Sequence, residues 1–268
     1  RWVETATDAI IDLLTESGPL SAREIGDRLP DLAVPIPVGT GRFATTQSAH
    51  SRVLLVLGFA GRVLRARPTG TWINGQYRWA AAADWFPDGF GQLDQRSAAA
   101  DLARLWLRAF GPATSADLQW WTGWTATATK RALADVNAVE VELDDGIGYL
   151  LPDDLDPPTD AEPWVALLPA LDPSTMGWKQ RDWYLDPSDA TLLFDRNGNA
   201  GPTIWVDGEI VGGWAQRQDG SIALRLLRDI GAERRDELEQ AAHALEQLIG
   251  EVRFSVRFPA PLQSELLR

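Results

Sequence analysis

The residues best suited to chemistry with a polyanion are concentrated in the stretch 41–80. It carries Arg42, Arg52, Arg62, Arg65, Arg67 and Arg78 and neither aspartate nor glutamate. Gln47, Ser48, His50 and Ser51 lie among these arginines. Arginine and hydroxyl side chains hold phosphate oxygens, whereas glutamine, histidine and arginine also present the donors and acceptors that read base edges. Arg65 and Arg67 are two apart, so on a strand they share one face and reach adjacent phosphates or a minor groove. On a helix, Arg52 shares a face with Ser48, and Ser51 with Gln47. The surroundings are acidic. Residues 1–40 hold three basic and seven acidic side chains, residues 81–268 hold 16 basic and 31 acidic, and the chain's net charge is −13. Such asymmetry points to a polyanionic partner held by one surface rather than by bulk charge.

Other chemistries are poorly supplied. The absence of cysteine excludes disulfides, thiolate zinc sites and a cysteine nucleophile. The two histidines, His50 and His243, are far apart, which argues against a zinc site and against Ser-His-Asp catalysis. Asp153, Asp154 and Asp156 read as a solvated linker cluster, and Gln216-Arg217-Gln218 as a strand end before a turn. No metal and no cofactor is expected. The longest apolar run, Val53–Ala60, is far too short to span a bilayer. No membrane role is expected, and the location expected is cytoplasmic. The chain starts at Arg1 without a methionine or a signal-like segment, so it reads as a processed product or a fragment.

The elements that must position the arginines follow from periodicity. Val3–Glu16 has helical apolar spacing and is stopped by Ser17-Gly18-Pro19-Leu20. Ser21 and Glu24 form a capping-box pattern for a short helix, Ala22–Leu29. A proline-bearing insert, 31–40, follows. A third helix is expected from a Thr45 or Thr46 cap through Gly61, then two strands, Val63–Arg67 and Trp72–Trp79, around Pro68-Thr69-Gly70-Thr71. Helix, short helix, helix, hairpin is the winged-helix order, with the third helix in a major groove and the hairpin as wing. Winged helices also serve as protein-interaction modules. Trp72 and Trp79 either stack on an exposed base or hold the wing together.

The plan repeats. Ser97–Phe110, Ser115–Trp121 and Thr125–Asp135 read as helices, and Val139–Leu150 as a second hairpin turning at Asp144-Asp145-Gly146. Phe110-Gly111-Pro112-Ala113-Thr114 matches Ser17-Gly18-Pro19-Leu20-Ser21, with Gly-Pro and a hydroxyl cap between the first two helices of each module. The second hairpin is acidic, so it is expected to pack or orient rather than to touch DNA. Trp106, Trp120, Trp121 and Trp124 are expected around its helix packing point. After a linker at 151–163, strand-like segments at Val165–Leu168, Ala190–Phe194, Thr203–Val206, Glu209–Gln216, Ser221–Leu227 and Val252–Phe258 accompany one helix, Glu233–Ile249. The expected fold is α+β: winged-helix modules at 1–95 and 96–150, then a small β-barrel-like domain at 164–268.

Three segments carry a family resemblance. They are Thr114-x-x-Asp117-Leu118-x-x-Trp121-x-Gly123; Leu167-Leu168-Pro169-Ala170-Leu171-Asp172-Pro173 with Met176-Gly177-Trp178-Lys179-Gln180-Arg181; and Asn197–Gly208 with Gly212-Gly213-Trp214. In this order and spacing they resemble the winged-helix proteins related to AlkZ-like DNA glycosylases, over nearly the whole chain. The resemblance implies tandem winged helices and a C-terminal β-barrel around a channel for double-stranded DNA. It implies metal-independent removal of alkylated purines and unhooking of interstrand crosslinks. It also implies a water-positioning Gln-x-Gln or Gln-x-Asp motif near the N-terminus, which would fall upstream of Arg1; Gln216-x-Gln218 lies in the wrong region to take that role. Asp172, Lys179 and Arg181 match a family motif and are expected to line the channel, or else to hold a turn through an Asp–Arg pair. The chain alone is then expected to bind DNA weakly and to catalyse nothing. The alternatives are a non-enzymatic regulator with a C-terminal sensor and a protein-interaction scaffold.

Overall fold

The segment that stops the first helix also starts the second. A computed structural model describes the chain apart from residues 42–43, 72–74, 92, 145, 158, 160, 255 and 257–258. Helix α1, Trp2–Ser17, ends at Gly18, whose positive φ an L side chain resists. Ser21 then accepts from the Glu24 amide at 3.2 Å while the Glu24 carboxylate accepts from the Ser21 amide at 2.7 Å. This capping box opens α2, Ala22–Arg28. Between them Leu20 exchanges two backbone hydrogen bonds with Trp79.

The chain divides into two compact units, Arg1–Leu93 and Asp94–Arg268. In the first, α2 is followed by β1 (Pro35–Val38), β2 (Thr45–Ser48), α3 (Ala49–Phe59), the hairpin β3 (Val63–Gly70) and β4 (Gly75–Ala81), and a single turn α4 (Ala82–Trp85). Ala6, Ile10 and Leu14 of α1, Ile25 of α2, Val53, Leu54 and Leu57 of α3, and Val63 and Ala81 of the hairpin close on one core. The proline-bearing insert and the residues after it form a small antiparallel ladder, Pro35 opposite Ser48 and Val38 opposite Thr45. This corrects the expected start of the third helix. Thr45 and Thr46 are strand residues and Ser48 stands at the N-cap, so Gln47 and Ser48 share no helical face with Ser51 and Arg52.

The second unit begins with the same plan. Helices α5 (Gln95–Phe110), α6 (Ser115–Thr122) and α7 (Ala126–Asp135) precede a hairpin of β5 (Val139–Leu143) and β6 (Gly146–Leu150). Thr114 and Asp117 form its capping box, and Ala113 pairs with Tyr149 of the last strand as Leu20 does with Trp79. The two segments share this element order and these hydrogen bonds. Ala103, Trp106 and Leu107 of α5 pack on Leu118, Ala132 and Leu133. Trp120 and Trp121, expected beside Trp106 in that core, are 40% and 42% exposed.

The C-terminal strands are β7 (Val165–Leu168), β8 (Thr203–Val206), β9 (Glu209–Gln216) and β10 (Ile222–Leu226), with α8 (Pro173–Met176), α9 (Ala190–Leu193), α10 (Gly231–Ile249) and α11 (Pro261–Leu266). The strands form an antiparallel sheet in the order β10-β9-β8-β7, open among the described residues where a barrel was expected. The reason lies in β9, where Ile210 to Ala215 are all buried. A strand buried on both faces calls for cover on both sides. Ile204, Val211 and Trp214 face Leu238 and Ala242 of α10, whereas Trp205 and Ile210 face Leu193 of α9 and Leu262 of α11. Ala190–Leu193 is helical rather than extended, started by Asp186, Pro187 and the 3-10 turn Pro187–Asp189. The expected strand Val252–Phe258 lies partly outside the described residues, and Val252, Arg253 and Phe254 are not in a strand. No helix among the described residues is long and apolar enough to cross a membrane.

Candidate nucleic-acid interface and an aromatic cleft

In the first unit the hairpin carries Arg65, Arg67 and Arg78 of the predicted site. Arg65 lies opposite Trp79 in the ladder, and its guanidinium sits 4.7 Å from the Tyr77 ring centroid and 5.5 Å from that of Trp79. Tyr77 and Trp79 are two apart, so both rings stand on the face that Arg65 occupies. Cation–π packing of this kind holds an arginine extended without neutralising it. Arg62, Arg65 and Arg67 are exposed, and none has an ion-pair partner among the described residues. Arg78 pairs with Ala66, on the other face. There it contributes to holding the Glu24 carboxyl below its ordinary value, after the Ser21 amide and hydroxyl that dominate. Trp79 packs against the core and holds the hairpin to it; Trp72 and Arg42 lie outside the described residues.

The third helix supplies less than its sequence promised. His50 is 6% exposed, and its ring lies over Gly26 of α2, where an added Cβ would come within 2.8 Å of Cε1. His50 is therefore packed inside the module, its Nδ1 without a hydrogen-bond partner among the described residues. Ser51 is half-buried, and Arg52 borders an apolar groove with Trp2, Val34, Ile36 and Val56. The outer face of α3 exposes Leu55, Val56 and Phe59, the last at 86%. Nothing in the binary pattern distinguishes that face from a core face, so periodicity alone missed it.

In the second unit the key residue is Asp117, 2% exposed. One oxygen accepts from the Thr114 amide at 3.0 Å and hydroxyl at 2.6 Å; the other accepts from the amides of Lys179 and Gln180 at 2.8 and 2.9 Å. A capping carboxylate thereby ties the segment 178–183 to the start of α6. The Trp178 indole donates to the Phe110 carbonyl at 2.9 Å, and the Phe110 ring packs against the Gly177 backbone where a Cβ would stand.

Of the three motif residues, Asp172 caps α8 by accepting from the Ser174 amide, and it forms no ion pair with Arg181. Lys179 is exposed. The Arg181 guanidinium lies 4.5 Å from the Phe194 ring and 5.6 Å from that of Trp120, and its Nε is buried without a hydrogen-bond partner among the described residues. It sits beside Tyr184, whose phenol burial pushes up to about 12 against the opposing pull of Arg181.

Above Asp117 opens a cleft of about 520 Å³, walled by Thr114, Leu143, Asp144, Trp178, Gln180, Asp182 and Trp183. The Trp178 and Trp183 rings meet edge to face at 5.0 Å, and Trp183 is 60% exposed. Sequence reading missed this cleft, because residues 114, 144 and 183 are far apart in the chain and meet only in the folded unit.

The chain belongs to the AlkZ-like DNA glycosylase family, whose model matches residues 1–248. The solved structure of Streptomyces sahachiroi DNA glycosylase AlkZ superposes with a TM-score of 0.71 over 95% of this chain and 68% of that chain. The two are 20% identical, so the likeness is one of fold. No curated protein matches in sequence.

Proposed function

We propose that this chain is the DNA-holding part of a glycosylase that excises alkylated purines from double-stranded DNA, interstrand crosslinks included. Each module is read as a winged helix. The observation that carries the reading is the family match, joined to Arg62 and the hairpin's Arg65 and Arg67, exposed and without an ion-pair partner among the described residues in an otherwise acidic chain. Hydrolysis of an N-glycosidic bond requires access to C1′, which such enzymes gain by distorting the duplex or extruding the base. The first wing supplies phosphate contacts, and Lys179 and Arg181 are assigned to the DNA channel of the second unit.

Incubation of the protein with duplex containing N7-methylguanine should generate abasic sites above the level of a no-enzyme control. Equal levels would end the glycosylase reading. A second reading is favoured by one observation: Leu55, Val56 and Phe59 make the exposed face of α3 apolar, with Arg52 as the helix's single formal charge. That face suits a protein partner better than a major groove. It shifts the DNA contact of the first module from the helix to the wing.

A further inference from the structure

We propose that Pro68 is a wedge that enters the duplex from the minor groove and bends it. The proposal rests on the reading of the first hairpin as a DNA-holding wing, and concerns what that wing does to the duplex it holds. Its starting point is an irregularity in the ladder. Ala66 lies opposite Arg78 and Thr69 opposite Gln76, so Arg67 and Pro68 together oppose the single residue Tyr77. Two residues against one make a β-bulge, which kinks a strand and re-aims its side chains. The shared module plan does not require one. In the second unit β5 and β6 run in unbroken register from Val139 opposite Leu150 to Leu143 opposite Gly146.

The bulge holds a proline, which has no amide hydrogen to give to the ladder. Gly75 on the partner strand makes room for its ring, since a Cβ at 75 would come within 3.3 Å of the Pro68 Cβ. Arg67, Pro68, Thr69 and Gly70 are all exposed. An apolar ring thus stands in solvent next to Arg67, and close along the strand to Arg65, which Tyr77 and Trp79 hold extended. The stretch 41–80 has no carboxylate to repel the phosphates that border a groove. Arginine is drawn to the negative potential of the minor groove, and an apolar side chain beside it can part a base step there. The opened step kinks the duplex toward the major groove. Unstacking is part of the cost of extruding a base, so a wing that opens a step assists the excision proposed above.

The test is energy transfer between dyes at the two ends of a short duplex, measured with the whole chain bound. Wild type should bend the duplex by about 20° or more. Netropsin, which fills the minor groove, should reverse the bend. Pro68→Ala should lose the bend and bind more weakly, yet keep the salt slope of wild type, since every arginine remains. Pro68→Leu supplies an apolar wedge without the ring and should bend the duplex again, whereas a proline that only shapes the bulge would leave the alanine and leucine variants alike. Melting curves verify the fold; should Pro68→Ala unfold, Pro68→Ser takes its place. Binding without a bend, a bend that netropsin leaves in place, a bend that survives Pro68→Ala, or a leucine variant as straight as the alanine one would each overturn the wedge and keep the wing. Absence of duplex binding by wild type would remove both.

Discussion

Asp117 accepts more hydrogen bonds than a cap requires. Its counterpart, Glu24, accepts from Ser21 alone among the described residues and is half-buried. Removing Asp117 strands the Thr114, Lys179 and Gln180 amides in a partly buried place, each having faced a carboxylate. Asp117→Ala should cost about 2–4 kcal/mol of stability, against about 1 kcal/mol for Ser21→Ala, as measured by urea unfolding. Equal costs would reduce Asp117 to an ordinary cap. Gly26 poses a second residue-scale test. Alanine is the better helix former by about 1 kcal/mol, yet a Cβ there meets the His50 ring. Gly26→Ala should therefore destabilise by about 1–3 kcal/mol, and the same change in a His50→Ala background should be neutral or stabilising. Additive effects of the two substitutions would place the ring elsewhere.

At the scale of elements, most of the helices and both hairpins were legible because each has its own punctuation. Gly-Pro with a hydroxyl cap begins α2 and α6, and a single apolar face runs along α1 and α5. Three features were not legible, each for a physical reason. Residues 45–48 read as the start of a helix because two threonines can cap one; their pairing with 35–38 is a tertiary choice no local signal announces. Ala190–Leu193 is a short apolar run whose period does not separate strand from helix. The barrel was inferred from the number of strands, whereas the number of covered faces decides, and β9 is buried on both. The joints between elements are polar. Arg96, at the start of α5, holds Asp135, at the end of α7, through two hydrogen bonds of 2.8 and 2.6 Å. The Arg96 hydrogen bonds hold the Asp135 carboxyl below its ordinary 3.8. A carboxyl lowered in the folded state gives stability that is complete above its unfolded pKa and is lost as pH falls through the folded one. Wild type should therefore exceed Asp135→Asn in urea midpoint at neutral pH, and the gap should close on acidification below about pH 4. A gap unchanged by acid would show that the pair adds no stability by this route.

At the scale of the whole molecule, charge is the organising fact. A chain of net charge −13 repels DNA unless a local surface overrides that repulsion. We assign that surface to Arg62 and to Arg65 and Arg67 of the first hairpin, since His50 is buried, Arg78 lies on the far face near Glu24 and Arg52 borders an apolar groove. Arg65 is the best held of the three, stacked on Tyr77 and Trp79. The most direct test of the account is the salt dependence of duplex binding by wild type and by Arg62→Glu, Arg65→Glu, Arg67→Glu, with melting curves to verify the fold. Each phosphate contact contributes about 0.9 to the slope of log affinity against log salt. The account predicts that the triple variant loses affinity at every salt concentration and that its slope falls by about 3. An unchanged affinity and slope in a folded variant would contradict it.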